Sequence, residues 1–212
     1  MLKDIFHGKT VLFQGDSVTD CGRLREDDAS LGYGYPEKIS SAYMGFFPES
    51  TVRFINRGVS GDRSCNLLER YQEDFLNQRY DVISILIGIN DVWRAYDSGD
   101  PTPPEIFEKN YSELLERIKR DLPDAYIIMI EPFVLHSLPD RLKWREDLDP
   151  KIQVVRKLAV QYAGVFLPMD GILAGYIASG VPQERIADDG VHPTPAGHGI
   201  IAYEWLKAVC AL

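Results

Sequence analysis

Short apolar runs alternate with amphipathic stretches along this chain, and that alternation limits the choice of fold more than any other feature of the sequence. Five runs rich in β-branched and aromatic residues are bounded by Gly, Pro, Asp or Asn, which predicts strands over 10–14, 51–55, 82–87, 126–130 and 164–168. The third and fourth runs are almost entirely apolar. This pattern is typical of central strands that are covered on both faces.

The intervening stretches carry apolar residues at three- and four-residue steps, which predicts helices with one buried face. Ser64 precedes the first of these stripes and is predicted to be its N-cap. Strands that alternate with helices indicate an α/β protein, with a mostly parallel sheet flanked by helices. The four stripes are Leu67, Leu68, Tyr71 and Phe75; Phe107, Tyr111, Leu114, Leu115, Ile118 and Leu122; Ile152, Val155, Ala159 and Tyr162; and Ile201, Trp205, Leu206 and Val209.

Length and charge exclude several classes of function. The 212 residues, 45% of them hydrophobic, suit a single domain over 1–212 with a sizeable core. A net charge of -9 argues against a nucleic-acid or anionic-membrane partner, because both need a basic patch. No apolar run has the length of a membrane span or the form of a secretory signal. A small neutral substrate remains compatible with this composition.

Three cysteines, Cys21, Cys65 and Cys210, are odd in number, far apart and outside any CxxC spacing. They are interpreted as reduced packing residues, which favours a cytoplasmic protein. A secreted protein whose signal peptide has been removed is the alternative that stays open. The sequence also leaves open whether the chain forms a homo-oligomer.

Residues that can carry chemistry follow the predicted strands, where parallel α/β sheets bind their ligands. Gly15-Asp16-Ser17 ends the first strand, and the second runs into a loop over 56–62. The third ends in 88–91, and Asp188-Asp189-Gly190-Val191-His192-Pro193 follows the fifth strand and its helix. Four loops at one sheet edge therefore supply a hydroxyl, glycine amides, a carboxamide and an imidazole with nearby carboxylates. These are the groups that acyl transfer needs.

Each group has a chemical role. The hydroxyl of Ser17 is a weak nucleophile unless a base accepts its proton, and His192 suits this task because histidine is largely neutral at pH 7. Asp189, three residues earlier, can hold the other ring nitrogen. The backbone N–H groups of Ser17 and Gly61 and the side-chain amide of Asn90 are candidate donors to an oxyanion. No cofactor is expected. No metal is expected either, because HExxH and clustered Cys/His spacings are absent.

Taken together, the four blocks resemble those of the SGNH (GDSL-type) hydrolase family, with Ser17, Gly61, Asn90 and His192 in the family's order. The resemblance covers nearly the whole chain. It implies a flavodoxin-like, three-layer α/β/α sandwich around a five-stranded parallel sheet, and ester hydrolysis through an acyl-serine intermediate. The segments 15–23 and 87–94 are similar to bacterial carbohydrate acetylesterases, including enzymes that deacetylate xylo-oligosaccharides.

Some residues have competing interpretations. Ser60 is a rival nucleophile, but no Gly-x-Ser-x-Gly elbow surrounds it. Asp188 competes with Asp189, which is preferred for its three-residue spacing from the histidine. By the family resemblance Asp16 braces the nucleophile loop, and it is also kept as a candidate substrate contact. Trp93 is either a cover over the sheet edge or a wall of the substrate site.

Further polar and aromatic residues near these loops have uncertain roles. His7 is expected to be an exposed residue near the chain terminus, and His198 a structural residue. His136 follows the fourth strand and could contact substrate, as could Arg63 and Arg94. The aromatic ring of Tyr96 is grouped with that of Trp93 as either a cover or a wall.

These interpretations together predict a serine esterase that removes short acyl groups, acetyl above all, from a small-molecule substrate such as an acetylated oligosaccharide. Two alternatives stay open. A thioesterase or lysophospholipase could use the same framework with a longer acyl groove. A catalytically silent carbohydrate-binding protein could retain the fold, although binding alone would not require the complete set of catalytic groups.

Overall fold

The computed structural model describes residues 3–210 and places five strands in one sheet. All neighbouring strands are parallel, in the order β2-β1-β3-β4-β5. The prediction of a five-stranded parallel sheet is therefore confirmed. The second and fifth strands are shorter than their apolar runs. The strands are β1 (Thr10–Gly15), β2 (Arg53–Asn56), β3 (Val82–Leu86), β4 (Tyr126–Ile130) and β5 (Val165–Leu167).

Ten α-helices and one 3-10 helix, Pro139–Leu142, connect and cover the strands within the described residues. The α-helices are α1 (Ser17–Asp20), α2 (Tyr35–Phe46), α3 (Ser64–Glu69), α4 (Tyr71–Phe75), α5 (Ile89–Asp97), α6 (Pro104–Asp121), α7 (Arg145–Tyr162), α8 (Met169–Ala178), α9 (Gln183–Ile186) and α10 (Pro195–Cys210).

The alternating side chains of the strands divide the core into two layers, one on each face of the sheet. On β1, Val11 and Phe13 pack with α2, α8 and α10, whereas Leu12 between them packs with α3, α4, α6 and α7. Trp205 on α10 also donates a hydrogen bond from Nε1 to Ser84 Oγ on the central strand β3, at 3.1 Å. The arrangement is the expected three-layer α/β/α sandwich.

Three of the four predicted stripes lie on single helices, α6, α7 and α10, and most of their residues are buried. The first stripe is not one helix: Arg70 has a ψ of 12° and separates α3 from α4. The prediction that Ser64 is an N-cap is wrong, because α3 begins at Ser64 itself and its hydroxyl donates to Asp91 at 2.7 Å. Asn66 instead accepts a hydrogen bond from the backbone N–H of Arg63 at 2.9 Å.

Several smaller findings bear on the expectations from composition. Among the helices of residues 3–210, none is both long and apolar enough to cross a bilayer. Cys21, Cys65 and Cys210 are free thiols. Helices α2 and α8, which the stripes did not predict, cover one face of the sheet together with α10.

Candidate active site

The turn after β1 places Ser17 at the carboxyl edge of the sheet. A β-carbon on Gly15 would collide with the carbonyl oxygen of Leu86 on β3, so glycine lets the two strands approach closely at this point. Asp16 then caps α1, since its Oδ1 accepts a hydrogen bond from the N–H of Val18 at 3.0 Å. Ser17 is the first residue of α1, where a backbone N–H has no acceptor within the helix.

Ser17, His192 and Asp189 form a continuous chain of hydrogen bonds. Ser17 Oγ lies 2.9 Å from His192 Nε2, and His192 Nδ1 lies 2.6 Å from Asp189 Oδ2. The second carboxylate oxygen, Oδ1, accepts hydrogen bonds from the N–H groups of Val191 and His192 at 2.8 and 2.7 Å. Because both oxygens of Asp189 are engaged, its carboxylate is fixed, and with it the orientation of the imidazole ring.

The charges in this chain favour a basic imidazole. The hydrogen bond that His192 Nδ1 donates to Asp189 raises the pKa of His192 above its usual 6.5, although partial burial opposes the change. Burial alone would raise the pKa of Asp189, but hydrogen bonds from the His192 ring and from two backbone N–H groups lower it to about 2. Asp189 is therefore ionised at neutral pH and can stabilise an imidazolium.

Beneath the nucleophile, Asp16 is 1% exposed. Burial raises the pKa of its carboxyl group to about 7, against the opposing effects of the Val18 N–H and of His192. The suggestion that Asp16 contacts substrate is therefore not supported, because its side chain lies under the turn and not at the surface. Its capping hydrogen bond fits the expectation that it braces the nucleophile loop.

The two other candidate oxyanion donors lie on neighbouring loops. Gly61 is exposed and has a φ of +91°, in the left-handed region that favours glycine. Asn90 lies in the first turn of α5, and its Nδ2 donates to the carbonyl of Asp62 at 3.0 Å. Arg94 donates to Asn90 Oδ1 at 3.2 Å, which fixes the direction of the carboxamide. One N–H of the Asn90 amide group remains for a further acceptor.

The loop that carries Gly61 is anchored to the nucleophile turn. The N–H of Val59 donates to the carbonyl of Gly15 at 3.0 Å, and Arg23 Nε donates to the carbonyl of Gly58 at 2.7 Å. Ser60 donates from both its N–H and its hydroxyl to Asp20 Oδ2. Ser60, the alternative candidate nucleophile, is thus bound to a buried carboxylate and helps to hold this loop against α1.

Charged side chains with little exposure also hold the loop that carries Gly61. Arg70 pairs with Asp62 and, at 3.0 Å, with Asp74, which also accepts a hydrogen bond from Gln14 Nε2 on β1 at 2.8 Å. Asp91, next to Asn90, is fully buried and accepts from the N–H and the hydroxyl of Ser64. The roles of Gln14 and Asp91 could not be predicted from sequence, because Gln14 lies 60 positions from Asp74 and Asp91 lies 27 positions from Ser64.

An aromatic cluster borders the imidazole. The ring centroids of Trp93 and His192 are 5.6 Å apart, and Trp93 also packs on the buried Trp144, with centroids 5.1 Å apart. Arg141 lies beside both indole rings, with Cζ 5.3 Å from the Trp93 centroid and 4.0 Å from that of Trp144. Trp93 is therefore both part of the sheet-edge cover and a neighbour of His192. No local motif in the sequence signalled Arg141.

The other histidines lie away from the Ser17 hydroxyl. His7 is exposed and contacts Asp4 at 3.2 Å. His136 is exposed and lies beside Arg145 in a groove of about 420 Å³. His198 is buried: its Nδ1 accepts from the N–H of Tyr35 at 3.1 Å, and burial lowers its pKa to about 4. The exposure of His7 and the buried hydrogen bond of His198 agree with the expectations of an exposed residue near the terminus and of a structural residue.

The remaining candidates have partners of their own. Arg63 pairs with Asp100 at 2.5 Å, and Tyr96 stacks on Trp144 with centroids 5.2 Å apart. Asp188 accepts a hydrogen bond from the N–H of Asp189 at 3.0 Å, so it supports the loop while Asp189 binds the imidazole. Within the part of the chain that the structure describes, no group of three or more His, Cys, Asp or Glu side chains could hold a metal ion.

Comparison with known proteins places this geometry in a family. The model of the GDSL-like lipase/acylhydrolase family matches residues 13–200, a span that includes Ser17, Gly61, Asn90, Asp189 and His192. The chain belongs to this family. Most of the described sheet, from β1 to β5, falls within the matched residues.

Members of the GDSL-like family can be aligned with this chain over almost its whole length. The acetylxylan esterase of Geobacillus stearothermophilus is 31% identical over 208 residues, covering 95% of this chain and 94% of that protein. Its crystal structure superposes with a TM-score of 0.85 at 31% identity, covering 97% and 96% of the two chains. Catalytic mutants of that esterase, with a serine or a histidine replaced by alanine, superpose with TM-scores of 0.87.

Two further comparisons extend the family likeness. A protein from Parabacteroides merdae that is classed as a GDSL-like lipase has a TM-score of 0.90 at 31% identity, covering 97% of each chain. An arylesterase of Vibrio mimicus is 26% identical over 179 residues, covering 82% of this chain and 80% of that protein. The family and its esterase members identify this GDSL-like chain as a carboxylic ester hydrolase.

Proposed function

We propose that this protein is a serine acetylesterase in which Ser17 is the nucleophile, His192 the general base and Asp189 the residue that orients the base. The observation that carries the proposal is the 2.9 Å contact between Ser17 Oγ and His192 Nε2, continued by the 2.6 Å contact from His192 Nδ1 to Asp189. With Nδ1 donating to the carboxylate, Nε2 is left to accept the serine proton. This is the tautomer that base catalysis requires.

In the first half of the reaction, Ser17 Oγ attacks the ester carbonyl while His192 Nε2 takes its proton. The tetrahedral intermediate collapses, the bond to the alcohol oxygen breaks, and that oxygen receives the proton from His192. Ser17 is then acylated. In the second half, His192 takes a proton from water as it attacks the acyl-serine, and then returns that proton to Ser17 Oγ as the carboxylic acid leaves. Each half uses the same base and needs no cofactor.

The negative charge on the carbonyl oxygen needs donors that are already in place. The N–H of Ser17 opens α1, the N–H of Gly61 lies in an anchored loop with positive φ, and the Asn90 amide is oriented by Asp62 and Arg94. We assign these three groups to the oxyanion hole. Because their supporting hydrogen bonds exist before substrate binds, little reorganisation is needed in the transition state.

The preferred substrate is an acetyl ester of a small oligosaccharide, with acetylated xylo-oligosaccharides as the first candidates. The similarity to an acetylxylan esterase over 95% of the chain supports this choice. Trp93 also supports it, because its indole lies beside the His192 ring and a flat aromatic surface suits the apolar face of a sugar. A net charge of -9 is compatible with a neutral carbohydrate ester.

The test compares wild type with Ser17→Ala for p-nitrophenyl acetate hydrolysis and for acetate release from acetylated xylo-oligosaccharides. Ser17→Ala should lose turnover on both substrates while its circular dichroism and melting temperature stay near wild type. Ser60→Ala is the matched control and should keep most of the activity, since the backbone N–H at this position keeps its hydrogen bond to Asp20 and holds the loop. Retained turnover in Ser17→Ala would exclude the assignment of the nucleophile.

The acyl and carbohydrate preferences need separate measurements. Comparing acetyl with octanoyl p-nitrophenyl esters distinguishes an acetylesterase from a thioesterase or lysophospholipase that accepts long chains. Glycan binding with no turnover by the wild type would favour a silent carbohydrate-binding protein.

A further inference from the structure

Arg141 is a buried arginine whose side chain contacts the loop that carries the proposed acid and base. It lies on the 3-10 helix Pro139–Leu142, and only 8% of its surface is exposed. Its Nε donates to the backbone carbonyl of Asp189 at 2.8 Å, while its Nη1 pairs with Asp140 at 2.5 Å. The guanidinium is therefore bound to the backbone of the very residue whose carboxylate holds His192.

The guanidinium is held in one plane by aromatic neighbours. Its Cζ lies 4.0 Å from the ring centroid of Trp144 and 5.3 Å from that of Trp93. Trp144 is itself buried and stacks on Tyr96. A planar, weakly hydrated cation suits such a site, where an ammonium group would lose both the stacking and the rigid fork of donors.

The loop over 189–192 packs closely on Arg141. Gly190 has a φ of +84°, and a β-carbon there would lie 3.1 Å from Arg141 Cγ and would collide with the carbonyl of Leu135. The N–H of Leu135 in turn donates to the carbonyl of Gly190 at 2.8 Å. Two consecutive carbonyls of the loop, those of Asp189 and Gly190, are thus held by the segment 135–141.

We propose that Arg141 is a positioning residue for hydrolysis: it fixes the backbone of Asp189 and thereby sets the place of the His192 ring against Ser17. This inference rests on the proposed function, because it assumes that these three residues carry out the reaction. Both carboxylate oxygens of Asp189 are engaged with the loop and the ring. Its backbone is held at two further points, at the N–H by Asp188 and at the carbonyl by Arg141.

Arg141 does not contact the reacting atoms, so its loss should change the rate of chemistry more than substrate binding. A displacement of about 1 Å in a reacting pair can lower the rate by about 100-fold, even when the mutated residue is distant from the chemistry. We therefore expect Arg141→Ala to lower kcat on p-nitrophenyl acetate by about 10- to 100-fold and to leave KM within about twofold of wild type.

Two further readouts separate positioning from a merely structural role. The proton of the short Nδ1–H···Oδ2 bond between His192 and Asp189 should give a low-field NMR signal in wild type that weakens or disappears in Arg141→Ala. Guanidinium chloride at low millimolar concentration should restore part of the lost kcat in this variant, since the cation can occupy the vacated site beside the indole rings. Sodium chloride at the same concentration should not restore kcat.

Arg145→Ala is the matched control, because Arg145 is also partly buried but pairs with Asp170 and Asp149. It should keep wild-type kcat and the low-field signal, and guanidinium should not activate it. The proposal is overturned if Arg141→Ala keeps wild-type kcat, if Arg145→Ala loses as much, or if kcat falls while the low-field signal persists.

If Arg141→Ala does not fold, the same measurements are made on Arg141→Lys. This variant keeps the positive charge and most of the aliphatic side chain but lacks the Nε–H donor and the planar guanidinium. A reduced kcat with a weakened low-field signal supports the proposal, and wild-type values of both overturn it. Failure of the proposed function would look different: Ser17→Ala would remain active, whatever the Arg141 variants do.

Discussion

Ser17 Oγ and His192 Nε2 are 2.9 Å apart although the two residues are separated by 175 positions in the chain. The serine opens the helix after the first strand, and the histidine lies in the loop before the last helix. Asp189 and the loop around it fix the imidazole through hydrogen bonds to the His192 ring and to its backbone N–H.

Replacing the orienting acid should remove most of the rate without removing the nucleophile. In Asp189→Asn the carboxamide cannot stabilise an imidazolium and favours the wrong ring tautomer, so kcat should fall by about 10⁴-fold, as in the serine proteases from which that magnitude comes. The measurement is p-nitrophenyl acetate hydrolysis at saturating substrate. Asp188→Asn is the matched control and should lose little, because Asp188 accepts from the N–H of Asp189 and an asparagine oxygen can accept the same hydrogen bond.

The pH dependence should reveal a base with a raised pKa. His192 must be neutral to accept the serine proton, and the hydrogen bond that its ring donates to Asp189 raises its pKa above 6.5. As pH falls through that pKa, the imidazole becomes protonated and kcat/KM declines, with its half-maximum above pH 6.5. Residual activity of Asp189→Asn should decline at lower pH than wild type. A wild-type half-maximum well below pH 6 would contradict this account.

Asn90 should stabilise the transition state and contribute little to the binding of substrate. Removing one oxyanion donor typically costs about 2.7 to 4 kcal/mol, so Asn90→Ala should lower kcat by about 10²- to 10³-fold with KM nearly unchanged. Asn110→Ala is the comparison, because Asn110 also donates to a neighbouring side chain, Ser64 Oγ, at 3.1 Å. An equal loss in both variants would point to a general disturbance of packing.

Trp93 should matter more for oligosaccharides than for small aryl esters. If the indole forms a wall for a sugar ring, Trp93→Phe should keep KM for acetylated xylo-oligosaccharides within about threefold, while Trp93→Ala should raise it about tenfold, an aromatic contact being worth about 1 kcal/mol or more. The ratio of KM values for oligosaccharide and p-nitrophenyl acetate is the measurement. A ratio unchanged in Trp93→Ala would leave the residue as a cover of the sheet edge only.

Asp16 should make stability depend on pH. Its folded pKa of about 7 lies above the usual 3.8, so its ionisation opposes folding, and the fold loses stability as pH rises from about 4 through 7. Asp16→Asn keeps an acceptor for the Val18 N–H and removes this loss. Urea unfolding should show the variant gaining on wild type with rising pH, by about 4 kcal/mol for about three pKa units at 1.36 kcal/mol each. A difference independent of pH would contradict the assignment.

The periodic parts of the chain could be predicted because their burial is local in origin. The apolar run over 126–130 needs no partner to indicate a strand, and the residues after each strand fall at one sheet edge because parallel strands share a direction. This is why Ser17, Gly61 and Asn90 could be placed at that edge from sequence. Their catalytic roles stay predictions until the variants are measured.

Features that depend on distant partners could not be predicted. Ser64 has the character of an N-cap, but a buried carboxylate, that of Asp91, takes its hydroxyl. The helix break at Arg70 coincides with ion pairs to Asp62 and Asp74. Asp74 also accepts a hydrogen bond from Gln14, which is 60 positions earlier in the chain. Arg141 lies in a stretch without regular periodicity, 48 positions before the carbonyl that it binds. The local sequence pattern does not indicate hydrogen bonds between residues so far apart in the chain.

The order of these parts along the chain has a consequence for synthesis. A growing polypeptide acquires Ser17, the proposed nucleophile, directly after the first strand, but His192, the proposed base, emerges only after all five strands have been made. By the proposed mechanism, an incomplete copy released by the ribosome before that point would be inert toward esters, because its serine would lack the base.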